Sequence, residues 1–221
     1  MLQFEPTKHG TGVTILGDYG DLKSLHETFW NLIPQSPIIA TRERNRLLSI
    51  MSYEIRHASQ HDRLCEVREF DDDNKVTYYG CQIDWICLLF TISCLRYNAG
   101  YTGITRRDLA NLILLEYWTE RSMIEYDQQG ASMLKLFINA RVNVADDLVY
   151  HVYQAVWHDF MTLPTGKQRF RKIPELISKY STLWSPDYKI LKAHFEQLTK
   201  DGKHTICDYE SQHEDITKIV W

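Results

Sequence analysis

The sequence lacks the short motifs by which many enzymes are recognised. It contains no C-x-x-C pair, no G-x-S-x-G nucleophile motif, no P-loop and no His-Glu-x-x-His zinc motif. It also lacks a long apolar run: the best membrane candidate, 86–95, is ten residues long, whereas a spanning helix needs about 20. These absences remove the commonest catalytic signatures and predict a chain that does not cross a membrane.

An excess of positive charge is missing too. Twenty-five basic and 29 acidic residues give a formal net charge of −4, which provides no long-range field to concentrate a nucleic acid. No basic-then-apolar signal follows Met1, so we expect a cytoplasmic protein. The sequence predicts no cofactor.

The cysteines are odd in number and lie mostly in apolar segments, which predicts reduced, buried thiols: Cys65, Cys81, Cys87, Cys94 and Cys207.

The composition is sufficient for a packed core, with 44% hydrophobic residues, six Trp and thirteen Tyr in 221 residues. Four segments rich in β-branched and aromatic residues predict two β-hairpins, which pair 2–5 with 13–16 and 64–70 with 76–83. The second hairpin turns through the polar residues 71–75. An apolar helical stripe at 22–33 and a second helix at about 41–60 lie between the hairpins.

From Trp85 onward the apolar period changes from about two to about 3.6, which predicts a mostly helical remainder. The fold class is therefore α+β, and we expect one domain over 1–221, with a division near 128–130 as the alternative. The expected helices occupy 85–99, 105–126, 133–140, 145–163, 174–180 and 186–199.

The first candidate site is the end of the second helix. At about 100° per residue, Glu54, His57 and His61 fall on one flank, while Arg56 points to water. A carboxylate at the margin of an apolar face beside an imidazole is how a general acid/base pair is built. His57 and His61 also have the one-turn spacing of two zinc ligands, but no third ligand can be named. The preferred interpretation is structural: Glu54 holds the helix-to-strand junction.

A second pair of carboxylates lies one helical turn apart at Glu116 and Glu120, on a stripe predicted to be buried with Leu109, Ile113 and Met123. Paired acids serve glycosidases and two-metal hydrolases, although those sites need partners from other segments. Structural pairing with nearby basic or hydroxyl groups is preferred.

The densest basic run lies at 167–172, where one aromatic residue interrupts the charges. On a nucleic-acid-binding protein these cations would contact phosphates and Phe170 would stack on a base. In an acidic protein a solvated loop or helix start is the preferred interpretation. The cations are Lys167, Arg169, Arg171 and Lys172. A second basic cluster is weaker, because Glu43 interrupts it and helical phasing spreads it around the helix: Arg42, Arg44 and Arg46.

Three segments together resemble a family of uncharacterised bacterial cytosolic proteins known only as a domain of unknown function. They are GDYGDLKSLHET at 17–28, LLSIMSYEIRHA at 47–58 with Asp-Arg at 62–63, and YYGCQIDW at 78–85. The resemblance covers roughly residues 1–100. It implies the order hairpin, helix pair, hairpin and apolar helix, and a bacterial cytosolic origin. It implies no activity, and no shared role for His57 and His61, where other residues often stand.

Three functional hypotheses follow. The first is a non-enzymatic binding or regulatory module whose partner is a protein or a small molecule, with a homodimer as an open alternative. The second is a hydrolase or transferase that uses the Glu/His or Glu/Glu groups as acid and base. The third is nucleic-acid binding through the local basic run.

Overall fold

The computed structural model describes residues 1–71, 74–138, 140–209 and 219–221. Its sheet has four antiparallel strands in the order β1-β2-β4-β3. The two predicted hairpins are therefore confirmed, and they join edge to edge through β2 and β4. Residues 72 and 73 of the predicted second turn lie outside the described residues. The strands are β1 (Gln3–Pro6), β2 (Gly12–Gly17), β3 (Leu64–Asp71) and β4 (Asn74–Asp84).

Two glycines allow the first hairpin to pack closely against the second. Gly10 has a φ of +67°, which favours glycine in the turn. Gly12 begins β2 opposite Asp84, and a Cβ built on Gly12 would lie 1.9 Å from the carbonyl oxygen of Ile83. Only a residue without a side chain fits between these two strands.

Eight α-helices account for most of the described residues outside the sheet. The first two lie between the hairpins and the other six follow the second hairpin, as the change in apolar period predicts. Short 3₁₀ turns follow at Lys135–Phe137 and Ile206–Asp208. The helices are α1 (Tyr19–Asn31), α2 (Ile39–Ser59), α3 (Trp85–Ala99), α4 (Arg106–Tyr126), α5 (Gln128–Leu134), α6 (Val149–Thr162), α7 (Lys167–Ser181) and α8 (Pro186–Leu198).

Helix α3 is the buried centre of the molecule. It is apolar on nearly all sides, and most of its side chains are fully enclosed. Asp84 caps its N-terminus by accepting a hydrogen bond from the Cys87 N–H at 2.8 Å. The predicted span 85–99 is confirmed.

Three helix boundaries in the C-terminal half were predicted wrongly. The segment predicted to be helical at 133–140 contains the end of α5 and a 3₁₀ turn, and the helix predicted at 145–163 begins only at Val149. Helix α7 begins at Lys167, before the predicted start at Pro174, and runs through that proline. Burial of Phe170, Ile173 and Ile177 on one face offsets the hydrogen bond that the proline removes.

The core is one contiguous cluster of buried apolar side chains. It runs from Leu2 in the sheet to Phe195 in α8, and it includes residues on both sides of 128–130. The single domain over 1–221, with a division near 128–130 as its alternative, stays a prediction. All five cysteines are free, with Cys65 exposed on β3. None of the helices in the described ranges has both the length and the hydropathy to cross a bilayer.

Candidate functional site

The predicted acid/base site at the end of α2 is an ion pair in the structure. Arg63 donates two hydrogen bonds to the Glu54 carboxylate, from Nε at 2.7 Å and from Nη2 at 3.1 Å. This bidentate contact joins the last turns of α2 to the segment that enters β3, and it raises the pKa of Arg63. Both oxygens of Glu54 are therefore occupied by an internal partner.

The two histidines near Glu54 separate because the helix ends between them. Helix α2 ends at Ser59, and His61 adopts a left-handed conformation with a φ of +68°. Its ring stacks on Tyr79 with the centroids 3.9 Å apart, while His57 Nδ1 lies 2.8 Å from Asp62 Oδ2. The one-turn helical spacing assumed for the two imidazoles is thus not present.

A small cleft does lie beside the Glu54–Arg63 pair. It has a volume of about 210 Å³, and its walls include Cys81, Gln82 and the side of Trp221. Burial raises the pKa of the Cys81 thiol to about 12. The thiol stays protonated, so the cleft presents no activated nucleophile beside the carboxylate.

Glu116 and Glu120 also have separate partners. Arg96 of α3 donates two hydrogen bonds to Glu116, including Nη2 to Oε2 at 2.6 Å, and Lys135 lies 2.9 Å from Glu120. The stripe on which they were predicted to lie is not buried throughout, because Leu109 and Ile113 are exposed. Of the apolar residues predicted on that stripe, only Met123 is buried. The buried face of α4 also contains Leu112, Leu115, Thr119 and Ser122.

The side chains of the predicted nucleic-acid-binding segment lie on different sides of α7. Lys167 and Lys172 are exposed, and Lys172 pairs with Glu175 of the next turn. Arg171 makes a bidentate pair with Asp127 at 2.6 and 2.8 Å.

The remaining two residues of that segment face the interior. The Arg169 guanidinium is buried over the Phe160 ring, 4.5 Å from its centroid, and it donates to Thr11 Oγ1. Phe170 is fully buried against Trp85. The ring therefore has no free face on which a base could stack.

Within the described ranges, no group of three or more His, Cys, Asp and Glu side chains is arranged to hold a metal ion. Glu43, His151 and Cys207 do meet between α2, α6 and the second 3₁₀ turn, and burial determines their chemistry. Glu43 is completely buried, which raises its pKa, while Arg46 opposes the shift by donating to Oε1 at 3.1 Å. Its other oxygen lies 3.6 Å from His151 Nε2.

Burial lowers the pKa of His151 to about 4, so its imidazole is neutral at pH 7. Burial, together with Glu43, raises the pKa of Cys207 to about 11. An imidazole with a pKa of about 4 is too weak a base to take the proton of a thiol with a pKa of about 11, so the two do not form an activated nucleophile–base pair. The cluster instead fixes the chain at 206–209 against α2, where Arg46 also approaches the Cys207 and Tyr209 carbonyl oxygens.

A further candidate site, which the sequence did not predict, is a pocket of about 420 Å³ at the N-terminal end of α2. Its floor is the side chain of Arg44, a residue that is only 5% exposed. Arg44 donates to Asn98 Oδ1 at 3.1 Å, to the Val144 carbonyl at 2.8 Å and to Thr41 Oγ1 at 3.0 Å. It also lies over the Tyr97 ring, 4.3 Å from the centroid.

All three hydrogen-bond acceptors of Arg44 are neutral, and no carboxylate in the described part of the chain forms a salt bridge with it. Burial of the cation lowers the pKa of Arg44. An arginine has five N–H donors, so this guanidinium has donors left for a ligand.

The first turn of α2 lines the same pocket and is uncapped. Ile38 at the N-cap makes no side-chain capping bond, and the turn contains no acidic residue. The N–H groups of Thr41 and Arg42 donate to the Ile38 carbonyl, whereas those of Ile39 and Ala40 have no acceptor among the described residues. Free N–H groups and the helix dipole make this end electropositive.

The opposite wall combines aromatic and acidic side chains. Tyr101 lies beside Tyr97, with the ring centroids 5.0 Å apart and the planes tilted by 39°, and is 77% exposed at the rim. Asp147, exposed on the far side, also lines the pocket and opposes the lowering of the Arg44 pKa. The pocket therefore has a cationic floor, an aromatic wall and one anionic group at its rim.

The sequence contained one signal for this pocket. The first turn of α2 contains no acid, and Arg42 and Arg44 lie near this end, where a cation opposes the helix dipole. Charge spacing along the helix could not predict the pocket, because Asn98 and Tyr97 come from another helix and their proximity to Arg44 depends on the fold.

Comparison with known proteins gives a family but no described function. Neither the curated proteins nor the solved structures contain a significant match to the chain. One family model, described as "Domain of unknown function (DUF6904)", matches residues 2–221. The predicted resemblance to an uncharacterised family is confirmed, and it extends well beyond residue 100. The chain belongs to the DUF6904 family of domains of unknown function.

Proposed function

We propose that this protein is a non-catalytic binding module that holds a small carboxylate-bearing molecule in the pocket above Arg44. The observation that carries the proposal is the buried guanidinium itself, which has neutral acceptors only. A buried cation is costly unless it is paired. A ligand carboxylate would supply the missing counter-charge, and Arg44 has N–H donors left to receive it.

Two further features favour an anion in the same place. The N–H groups of Ile39 and Ala40 have no acceptor in the described part of the chain, and helix N-termini bind anions through such groups. The pocket volume of about 420 Å³ lies within the usual range for small-molecule sites.

Asp147 narrows the class of ligand. A dicarboxylate would place a second negative charge near this exposed acid, whereas an ammonium group would be attracted to it. A zwitterion with carboxylate and ammonium ends, such as a free amino acid, matches both charged walls. The rings of Tyr97 and Tyr101 favour an aromatic or long aliphatic side chain on that amino acid.

Thermal unfolding with a panel of ligands tests the proposal. The panel comprises sodium acetate, succinate, glycine, leucine and phenylalanine at constant ionic strength. A ligand at about 100 times its Kd stabilises the fold by about 2.7 kcal/mol, which is a measurable rise in Tm. We expect a rise with the amino acids, a smaller one with acetate, and none with either in Arg44→Lys, which keeps the charge but loses the planar fork.

Matched variants separate binding from folding. Tyr101→Ala removes an exposed wall of the pocket, and Tyr19→Ala removes a tyrosine that is 53% exposed outside it. Ligand stabilisation should fall in the first and persist in the second. The proposal is wrong if no carboxylate at 10 mM raises the wild-type Tm, or if Tyr101→Ala responds as the wild type does. Turnover of a phosphodiester or glycoside that is lost in Glu54→Gln would instead support the acid/base hypothesis.

A further inference from the structure

Helix α4 carries an apolar stripe that the fold leaves in contact with solvent. Leu109, Ile113, Tyr117 and Ile124 are each between 41% and 50% exposed. Their spacing of four, four and seven residues places them along one side of the helix, opposite the face that packs on the core. Glu120 falls on the same side of the helix, between Tyr117 and Ile124, and pairs with Lys135. Isolated exposed apolar residues are ordinary, but four of them along one side of a helix mark an interaction surface.

The stripe continues onto the neighbouring segment. Met133 in α5 and Leu136 in the following 3₁₀ turn are 49% and 52% exposed. Between α4 and α5 lies a groove of about 220 Å³, which includes Met123, Ile124 and Ala131 in its walls. The groove is wide enough to receive an apolar side chain from a partner.

The charges at the ends of the stripe determine which partner fits. Arg106 begins α4 and Glu125 lies near its end, and neither forms a salt bridge within the described ranges. Two antiparallel copies of α4 would place Arg106 of each copy beside Glu125 of the other. In the same register Ile113 of one copy faces Tyr117 of the other. The midpoint between residues 113 and 117 along the helix is nearly the same as the midpoint between residues 106 and 125. A parallel arrangement would instead bring like charges together.

We infer that the protein self-associates through this stripe, with the α4 helices of two copies packed antiparallel about a two-fold axis near residues 113–117. In this arrangement Leu109 of each copy lies opposite Ile124 of the other and reaches the groove between α4 and α5. The contact is isologous, so it closes at a dimer.

The expected dimer is weak. At 1.5 Å per residue the stripe from Leu109 to Ile124 is only about 22 Å long. A strip about 10 Å wide along that length covers roughly 220 Å², and the side chains of α5 add to it, but the total remains below the roughly 800 Å² per partner of a stable complex. We therefore expect a transient dimer with a Kd of micromolar order or weaker.

Sedimentation equilibrium of the full chain, from about 5 μM to about 1 mM, measures the association. Ile113→Glu places a charge at the centre of the contact and should raise the dimer Kd by about tenfold or more. Ile190→Glu makes the same change at a residue of α8 that is 71% exposed and lies outside the stripe, and it should leave the Kd unchanged. Both side chains are exposed, so both variants should fold, which circular dichroism checks.

A charge exchange tests the antiparallel register. Arg106→Glu and Glu125→Arg each replace an opposite-charge contact with a like-charge one, so each should raise the Kd several-fold. The double variant restores opposite charges and should return the Kd to within about twofold of the wild type. Neither single change harms the helix, because an acid in its first turn and a base in its last turn favour the dipole.

A chain that remains monomeric at all concentrations overturns the inference. So does a dimer that Ile113→Glu leaves intact, or one in which the double variant is no tighter than the single variants. The ligand-binding proposal can fail without affecting this result, because Arg44 and α4 are tested with separate variants.

Discussion

Asp84 and Asp108 offer a sharp test of the electrostatics, because both take part in capping a helix N-terminus and their pKa values shift in opposite directions. Asp84 lies at the N-terminus of α3, where burial raises its pKa from an ordinary 3.8 to about 6, although the Cys87 N–H and the Trp157 indole donate to it. The difference corresponds to about 3 kcal/mol. Since the folded state favours the protonated carboxyl, this stability is present below about pH 3.8 and is lost as pH rises through about 6.

The perturbation is Asp84→Asn. Asparagine keeps the oxygen that accepts the Cys87 N–H, and it is as good an N-cap as aspartate. It cannot ionise, so the variant does not lose stability over this range. The free energy of unfolding of Asp84→Asn, relative to that of the wild type, should therefore rise by about 2.4 kcal/mol between pH 4 and pH 7, most of the full difference. Loss of the acceptor for the Trp157 indole adds an offset that does not depend on pH.

Asp108→Asn is the matched control. Burial opposes ionisation of Asp108, but hydrogen bonds from Thr105, Thr28 and Asn31 outweigh it and lower the pKa of the carboxyl. Its contribution is present above about pH 3.8 and is lost only as pH falls below that value. The difference between Asp108→Asn and the wild type should thus stay constant from pH 4 to pH 7 and narrow at lower pH.

Urea unfolding followed by circular dichroism, at half-unit steps from pH 3 to pH 7, measures both differences. If the Asp84→Asn difference stays level over pH 4–7, or falls, burial does not control the ionisation of Asp84 and the reasoning is wrong. If the difference in free energy of unfolding from the wild type rises for both variants, the cause is the removal of a carboxylate in general and not the burial of Asp84.

Two further predictions concern packing. Gly12→Ala should destabilise the fold by about 1–3 kcal/mol or more, because its Cβ would meet the backbone of β4. Gly103→Ala, with no atom within 4 Å of the added Cβ, should be neutral or slightly stabilising. Equal urea midpoints for the two variants would contradict this prediction. Phe170→Ala should lower the free energy of unfolding by about 3–5 kcal/mol, because it empties a fully buried site. Trp184→Ala, at a residue that is 79% exposed, should lower it far less. A comparable decrease in both variants would show that α7 does not pack as described.

Local patterns predicted the elements well where the signal was unambiguous. The span of α3 followed from its apolar run. Helix α4 begins within one residue of its predicted start at 105, where Thr105 and Asp108 form a capping box. The two hairpins followed from β-branched segments and their turns. These features depend on residues within a few positions of one another, and such local rules can be read from one sequence.

The sequence could not determine which face of α4 is buried. The segment 109–118 is apolar nearly all round, so the period alone permits more than one core-facing stripe. The predicted stripe included Leu109 and Ile113, which the structure exposes. The same ambiguity put Glu116 on a stripe predicted to be buried. Its partner Arg96 was not predicted, because that contact joins two helices whose relative position depends on the whole fold.

Arg44 and Arg169 show most clearly what a charge count omits. Arg169 belongs to a basic run predicted to be a solvated loop or helix start, and Arg44 to a weaker basic cluster predicted to spread around a helix. Both residues are more than nine-tenths buried. Arg169 is enclosed by the Phe160 ring and Thr11. Arg44 instead faces a pocket, near the positive end of a helix whose dipole it opposes. An anion bound there would relieve the buried charge and the helix end together, so the features that make this position costly in the free protein are the ones that favour a bound carboxylate.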